Sequence, residues 1–277
     1  MLGTDLMQML PARYYVLGCD LHNCNILDYD QLEQLVSSYS PDIIIHAAAY
    51  TNVDQAETDQ DVALQLNETG TKYVATVAKQ YHARLIYIST DYVFDGTKTT
   101  PYTEKDPPHP LGVYGKTKLR GEQQIQQIFQ YDVKRYSIIR TSWLYGKHGK
   151  NFISAILQQV RQKSVLQVVN DQKGSPTYTR DLVRGMMVLL DREISGIIHL
   201  TNTGYCTWYE FAKTILEFAR MSHVPVQPIS AAELQRPAPR PNFSVLDTSK
   251  FAVLTGQQMR HWKQGLQEYF EELTRDT

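Results

Sequence analysis

Apolar and polar positions along this chain fall into two alternating rhythms. Short, uninterrupted apolar runs at residues 14–18, 42–46 (continuing through Ala47 to Ala49), 85–89 and 136–140 read as strands. Runs of that length without polar alternation suit strands covered on both faces. Between them lie stretches with apolar residues three and four apart. Residues 30–39 carry Leu32, Leu35 and Val36 on one face, and residues 61–81, 114–129 and 152–162 keep the same period, that of a helix. The alternation predicts an α/β fold: a Rossmann-like, doubly wound parallel sheet with helices on both sides.

After about residue 163 the rhythm changes. Short strands at 165–169 and 197–200 mix with helices near 180–190 and 208–221. Residues 225–241 are rich in proline, which cannot continue a helix, so they read as an ordered loop or cleft lining. A closing helix is expected near 260–273. The reading is therefore a dinucleotide-binding domain over residues 1–163 and, over 164–277, mainly a smaller α/β substrate-binding lobe, with the chain crossing back to the sheet.

Composition narrows the function classes. A chain of 277 residues can bury a sizeable core. A net charge of −1, with 21% charged residues, creates no field that would draw nucleic acid or an anionic membrane. No apolar run approaches the roughly 18 residues a membrane helix needs. Residues 1–5 lack the basic start and apolar core of a secretory signal. Cys19, Cys24 and Cys206 show neither paired nor metal-ligand spacing. Idle thiols in a reducing cytoplasm are expected, with no metal site. The 18 tyrosines suit a polar cleft with aromatic walls.

Tyr114-Gly-Lys-Thr-Lys118 places a phenol and an ammonium one helical turn apart, on one face. A nearby cation favours the phenolate, and a tyrosine so tuned can pass a proton to a carbonyl oxygen. The same spacing also occurs on ordinary solvated helix faces. Ser89-Thr90-Asp91-Tyr-Val-Phe-Asp-Gly96 follows a predicted strand directly, where open α/β sheets bind ligands. A hydroxyl there can donate to a substrate carbonyl or simply cap a turn.

Taken together, Ser89-Thr-Asp-Tyr-Val-Phe94 and Val113-Tyr114-Gly-Lys-Thr-Lys118-Leu-Arg-Gly-Glu122 resemble the extended short-chain dehydrogenases/reductases, and within them the dTDP-4-dehydrorhamnose reductases. Ala47-Ala-Ala-Tyr-Thr-Asn-Val-Asp54, Arg140-Thr-Ser-Trp-Leu-Tyr-Gly146, Asn170-Asp-Gln-Lys-Gly-Ser-Pro-Thr177 and Arg240-Pro-Asn-Phe-Ser-Val-Leu-Asp247 extend the resemblance over nearly the whole chain. It implies Tyr114 as proton donor, Lys118 as its partner and a contact of the nicotinamide ribose, and Thr90 as the group polarising the sugar C4 carbonyl. It implies Asp91 and Trp143 as sugar contacts. For Arg240 the choice lies between the substrate diphosphate and a structural ion pair. NADPH or NADH is the implied cofactor, held by Leu2, Gly3, Asp20, Asn25, Ile26, Ala48, Ala49 and Tyr50 as well as Tyr114 and Lys118. An acid at Asp20 leans toward NAD.

Such reductases open with a strand and a G-x-x-G-x-x-G turn. In Met1-Leu-Gly3 the resemblance makes Gly3 the last glycine of that turn, and residues 4–10 the helix after it. The opening strand and most of the turn have no counterpart. The expectation is a truncated product or an upstream start, with two unpaired strand edges, weak dinucleotide binding and poor stability.

The implied activity is NAD(P)H-dependent reduction of dTDP-4-dehydro-L-rhamnose to dTDP-L-rhamnose by a cytoplasmic enzyme, with a nucleotide-sugar as partner and a homodimer left open. The alternatives are a non-catalytic regulatory subunit of the methionine adenosyltransferase type, an epimerase or dehydratase on the same scaffold, and an inactive relic.

Overall fold

The computed structural model describes residues 1–162 and 164–275. Four parallel strands form the central sheet in the order Ile43–His46, Arg84–Thr90, Tyr136–Thr141, Gly196–His199. Side chains of a strand alternate between faces, and here both faces are buried. Ile86, Ile88, Ile139 and Ile198 pack with helices Leu2–Met9 and Thr179–Asp191 through Leu6, Leu182 and Met186. Leu85, Tyr87 and Ile138 face the other way, onto helices Tyr29–Tyr39, Thr71–Gln80 and Val113–Ile128 through Val36, Val74 and Ile125. This two-sided burial is why the strands read as continuous apolar runs.

The smaller group of elements has its own core. Strands Leu166–Val169 and Val226–Ile229 pair in parallel. Helices Phe152–Val160, Trp208–Phe218 and Trp262–Arg275 bring Ile153, Ile156, Phe211, Ile215, Trp262 and Leu266 together with Tyr145 and Tyr178. Thr207 and Glu210 cap the Trp208–Phe218 helix reciprocally, so the local sequence fixes its start. The chain re-enters the main sheet at Gly196–His199. Lys163, where the sequence suggests a boundary, lies outside the described residues, as do residues 276–277.

Three expectations are corrected. Residues 14–18 form no strand. Tyr14 and Val16 do turn toward the core beside Ile43 and Ile45, while Tyr15 is 92% exposed. The alternation is present, but a strand also needs a hydrogen-bonded neighbour, and Ile43–His46 pairs only with Arg84–Thr90 among the described residues. The helix expected over 61–81 is broken into Gln60–Leu64, a π-helical stretch Gln65–Gly70, and Thr71–Gln80. The proline-rich segment is not all loop: it holds the Val226–Ile229 strand and a short helix, Ala231–Leu234. Pro228 is tolerated because its strand has a single partner. No helix among the described residues is long and apolar enough to cross a membrane.

Candidate active site

Thr90 ends its strand and Tyr114 begins the Val113–Ile128 helix, so the fold brings both to the carboxyl end of the sheet. The Thr90 hydroxyl donates to Asp91 Oδ1 at 3.1 Å and accepts from the Tyr92 N–H at 3.2 Å. It also reaches the Tyr114 phenol and favours its ionised form. Burial acts the other way and is the larger effect, so the phenol is held well above its usual range. Asp91 is 2% exposed, and burial lifts its carboxyl to about 7. Its Oδ2 has no partner among the described residues, and neither does the hydroxyl of Thr141, which sits beside Thr90 in register. Two orphaned buried polar atoms next to a threonine and a phenol suit a polyhydroxylated ligand that offers hydrogen bonds.

Lys118 departs from the sequence reading. Its ammonium donates to the Ile88 carbonyl at 2.6 Å and lies 3.9 Å over the Tyr87 ring. Burial lowers it to about 7, with Glu122 opposing. The groups that move the Tyr114 phenol are burial, Thr90, Asp91 and Tyr92, so the expected phenolate-favouring effect of Lys118 is not what dominates here. The physical reason is desolvation: two groups on one buried helix face each lose more solvation than they gain from each other.

A polar frame that the sequence did not reveal holds this helix. Glu122 accepts from Arg140 Nε and Nη2 (3.0 and 2.6 Å) and from the Ser89 hydroxyl (2.5 Å), all buried between helix and sheet. Asn67, in the π-helical stretch, donates to the Tyr50 carbonyl and the Thr117 hydroxyl and accepts from the Tyr50 N–H. Glu57 accepts from the Val113 N–H at 2.8 Å and so caps the helix from a distant loop. The nearest sequence signal is the i, i+4 spacing of Lys118 and Glu122; nothing local points to Asn67 or Glu57.

The remaining site residues are spread along the same rim. Ala48 is exposed and Ala49 half-buried beyond the Ile43–His46 strand, with Tyr50 beside them. The Asp20 carboxylate accepts from the His22 N–H in an exposed turn, and Asn25 Oδ1 accepts from the Leu27 N–H. Ile26 packs against Gly70. Leu2 is buried in the core, whereas Gly3 is open: a Cβ there would meet nothing within 4 Å. No side chain caps the Leu2–Met9 helix. Small residues at Gly3, Ala48 and Ala49 and an acid at Asp20 suit a dinucleotide's pyrophosphate and ribose.

In the smaller lobe, Trp143 adopts a left-handed φ of 46° and stacks on Trp208 with ring centroids 3.4 Å apart. A bulky residue held at positive φ is uncommon away from functional sites. Arg240 is engaged by Asp54, which accepts from both guanidinium arms at 2.8 Å.

A doubly wound parallel sheet whose carboxyl edge carries a threonine, a tyrosine and a helical lysine defines a short-chain dehydrogenase/reductase-like protein. The chain matches the RmlD substrate binding domain over residues 1–275 and belongs to that family. It is 39% identical to the spore coat polysaccharide biosynthesis protein SpsK of Bacillus subtilis, over 98% of this chain and 94% of that protein. A dTDP-4-dehydrorhamnose reductase of Aggregatibacter actinomycetemcomitans is 36% identical, over 96% and 93%. The fold superposes with a TM-score of 0.93 on a dTDP-4-dehydrorhamnose reductase from Bacillus anthracis solved in complex with NADP, at 39% identity, covering 98% of this chain and 95% of that one.

Proposed function

We propose that this protein reduces the C4 ketone of dTDP-4-dehydro-L-rhamnose to give dTDP-L-rhamnose, with NADPH or NADH as reductant, in nucleotide-sugar synthesis for cell-surface polysaccharide. The observation that carries the reading is the meeting of Thr90 and Tyr114 at the sheet's carboxyl edge in a chain with near full-length reductase relatives. A nicotinamide bound there would supply the hydride for C4. Gly3, Asp20, Asn25, Ile26, Ala48, Ala49 and Tyr50, with the backbone of Leu2, line the groove assigned to the dinucleotide. Residues 1–163, with the returning strand and the Thr179–Asp191 helix, form mainly the cofactor side, and residues 164–277, joined by Trp143, Tyr145 and the Phe152–Val160 helix, form mainly the substrate side. The protein is assigned to the cytoplasm, with a homodimer left open.

The chain's own chemistry is proton transfer and charge stabilisation. Tyr114, protonated at neutral pH because burial raises its phenol, delivers its proton to the C4 oxygen as negative charge develops there. Thr90 turns its single hydroxyl proton from Asp91 to the same oxygen. Lys118, one turn on along the helix, is assigned as the partner of Tyr114 and as a contact of the nicotinamide ribose. Asp91 accepts hydrogen bonds from sugar hydroxyls, and the Trp143 indole bounds the sugar's apolar face.

The test is oxidation of NADPH and NADH, followed by nicotinamide absorbance, with dTDP-4-dehydro-L-rhamnose as substrate. Turnover is expected, and Tyr114→Phe should lower kcat by about 10²–10⁴-fold while leaving dTDP binding unchanged. No turnover with either cofactor would overturn the reading.

A further inference from the structure

Residues 236–241 cross the mouth of the site, and one bidentate ion pair anchors them. Arg240 Nη1 and Nη2 each donate to an Asp54 oxygen at 2.8 Å, and the Ala238 N–H donates to Asp54 Oδ1 at 3.3 Å. Beneath this anchor, Pro239 and Pro241 meet Val53, Tyr92 and Tyr114 around a crevice with no room for even a water-sized sphere. Pockets for ligands of drug size span about 300–1,000 Å³. A nucleotide-sugar can occupy this crevice beside Tyr114 only if the segment lifts.

The pair is lopsided in a way that says which partner leaves. The Arg240 side chain is 8% exposed and that of Asp54 is 36% exposed. A carboxylate so placed returns to water at little cost, whereas a buried guanidinium left alone is an uncompensated charge. Arg240 can thus exchange one anion for another but cannot go without. Arg236 lies within electrostatic reach of Arg240, Asp54 and Tyr92, and no hydrogen bond or ion pair engages it among the described residues. Two guanidiniums facing one carboxylate leave a positive excess, which suits an anion carrying more than one charge.

We infer that Asp54 is a stand-in anion that holds the proline segment over Tyr114, and that the diphosphate of a nucleotide ligand displaces it, taking Arg240 and Arg236 together. This rests on the nucleotide-sugar reading above. Diphosphate oxygens present the same two-pronged match to a guanidinium as a carboxylate does. The exchange reaches the chemistry by two routes. Arg240 contacts the Tyr92 hydroxyl, and the Tyr92 ring meets the Tyr114 ring edge-on at 5.8 Å. Glu57, three residues beyond Asp54 on the same loop, caps the helix that begins with Tyr114's turn. Asp54 is thus a positioning residue that sets when the site opens.

Calorimetric titration of dTDP and of thymidine into the full chain tests this. Asp54→Asn removes the competing charge and keeps the shape, so dTDP should bind about tenfold tighter, with thymidine, which has no diphosphate, unchanged. Arg236→Gln should weaken dTDP about tenfold and leave the thermal midpoint where it was. Should the Asn variant fail to melt cooperatively, Asp54→Glu serves instead. It keeps the charge but spoils the bidentate fit, and dTDP should again bind more tightly than to the parent. Weaker or unchanged dTDP binding in whichever Asp54 variant folds, or unchanged binding in Arg236→Gln, overturns the inference. Ketone reduction by the parent chain is measured separately: the dTDP pattern without turnover would sink the reductase reading and leave the anion exchange standing.

Discussion

The helix that carries Tyr114 and the helix Leu2–Met9 flank the same sheet, yet they are held very differently. The first is pinned at every turn: Glu57 caps its start, Asn67 binds Thr117, the Ile88 carbonyl takes Lys118, and Ser89 and Arg140 converge on Glu122. The second rests on Leu2 and Leu6 in the core, has no side-chain cap, and leads to residues 14–18, which lack a strand partner among the described residues. On the proton-transfer side, polar groups satisfy one another and fix geometry before any ligand arrives. The Leu2–Met9 helix is held mainly by apolar packing. Such a division suits a site where geometric error is costly at the reacting atoms, and where the extended cofactor can order its own cradle.

The sharpest way to break this contrast is to remove the anchor of the pinned helix. Glu122→Gln leaves the Arg140 guanidinium, 3% exposed, without its anion. Breaking a buried pair from one side costs about 3–5 kcal/mol, and the chemical-denaturation midpoint should fall accordingly. A loss below 1 kcal/mol would mean that the Arg140–Glu122 pair does not anchor the helix.

Acid should distinguish the two sides next. His46 and His199 are 4% and 0% exposed, and burial lowers each to about 3. Thr71 donates its hydroxyl proton to the Asn67 carbonyl, so His46 Nε2 is the donor to Thr71. Lys118 adds repulsion to a charged His46, as Arg140 and Lys250 do to His199. With folded values below the unfolded value of about 6.5, the unfolded chain binds more protons between pH 6.5 and 3, so stability falls as pH falls through that window. From pH 6.5 to 5 the loss is about 2 kcal/mol per histidine. Lys118, also lowered, acts in the opposite range: its protons differ between states only above about pH 7, where stability rises with pH. Asp91, lifted to about 7, takes up its proton first in the folded state and offsets about one histidine over this range, so His46→Gln should remove most of the slope between pH 6.5 and 5; an unchanged slope would show that the charge is accommodated.

What the sequence revealed and what it hid divide along the same line. The sheet was legible because two-sided burial writes itself as apolar runs, and Tyr114 with Thr90 because the motif blocks are local. Residues 14–18 looked like a strand because local alternation says nothing about whether a neighbour exists to pair with. Asn67, Glu57 and Asp54 act on partners 50, 56 and 186 positions away, and no periodicity encodes such contacts. Lys118 was placed on the right face, but its burial, which decides its charge, depends on Tyr87 and Ile88 from a different element.

The smallest effect expected tests the open side alone. Gly3 lies in the first turn of its helix, and an added Cβ meets nothing within 4 Å. Glycine inside a helix costs about 0.5–1 kcal/mol relative to alanine because more backbone freedom is lost on folding. If structure were the only concern at this position, Gly3→Ala would be a gain, and the melting midpoint should rise by a few degrees. If the open space is there for a pyrophosphate to approach the backbone, the same methyl group should weaken NADPH binding while stability improves. Calorimetric titration of NADPH beside a thermal melt separates the two. Tighter or equal cofactor binding in a stabilised variant would remove Gly3 from the dinucleotide groove. A stability gain with a binding loss would show that the loosely held side of this sheet is loose on behalf of its ligand.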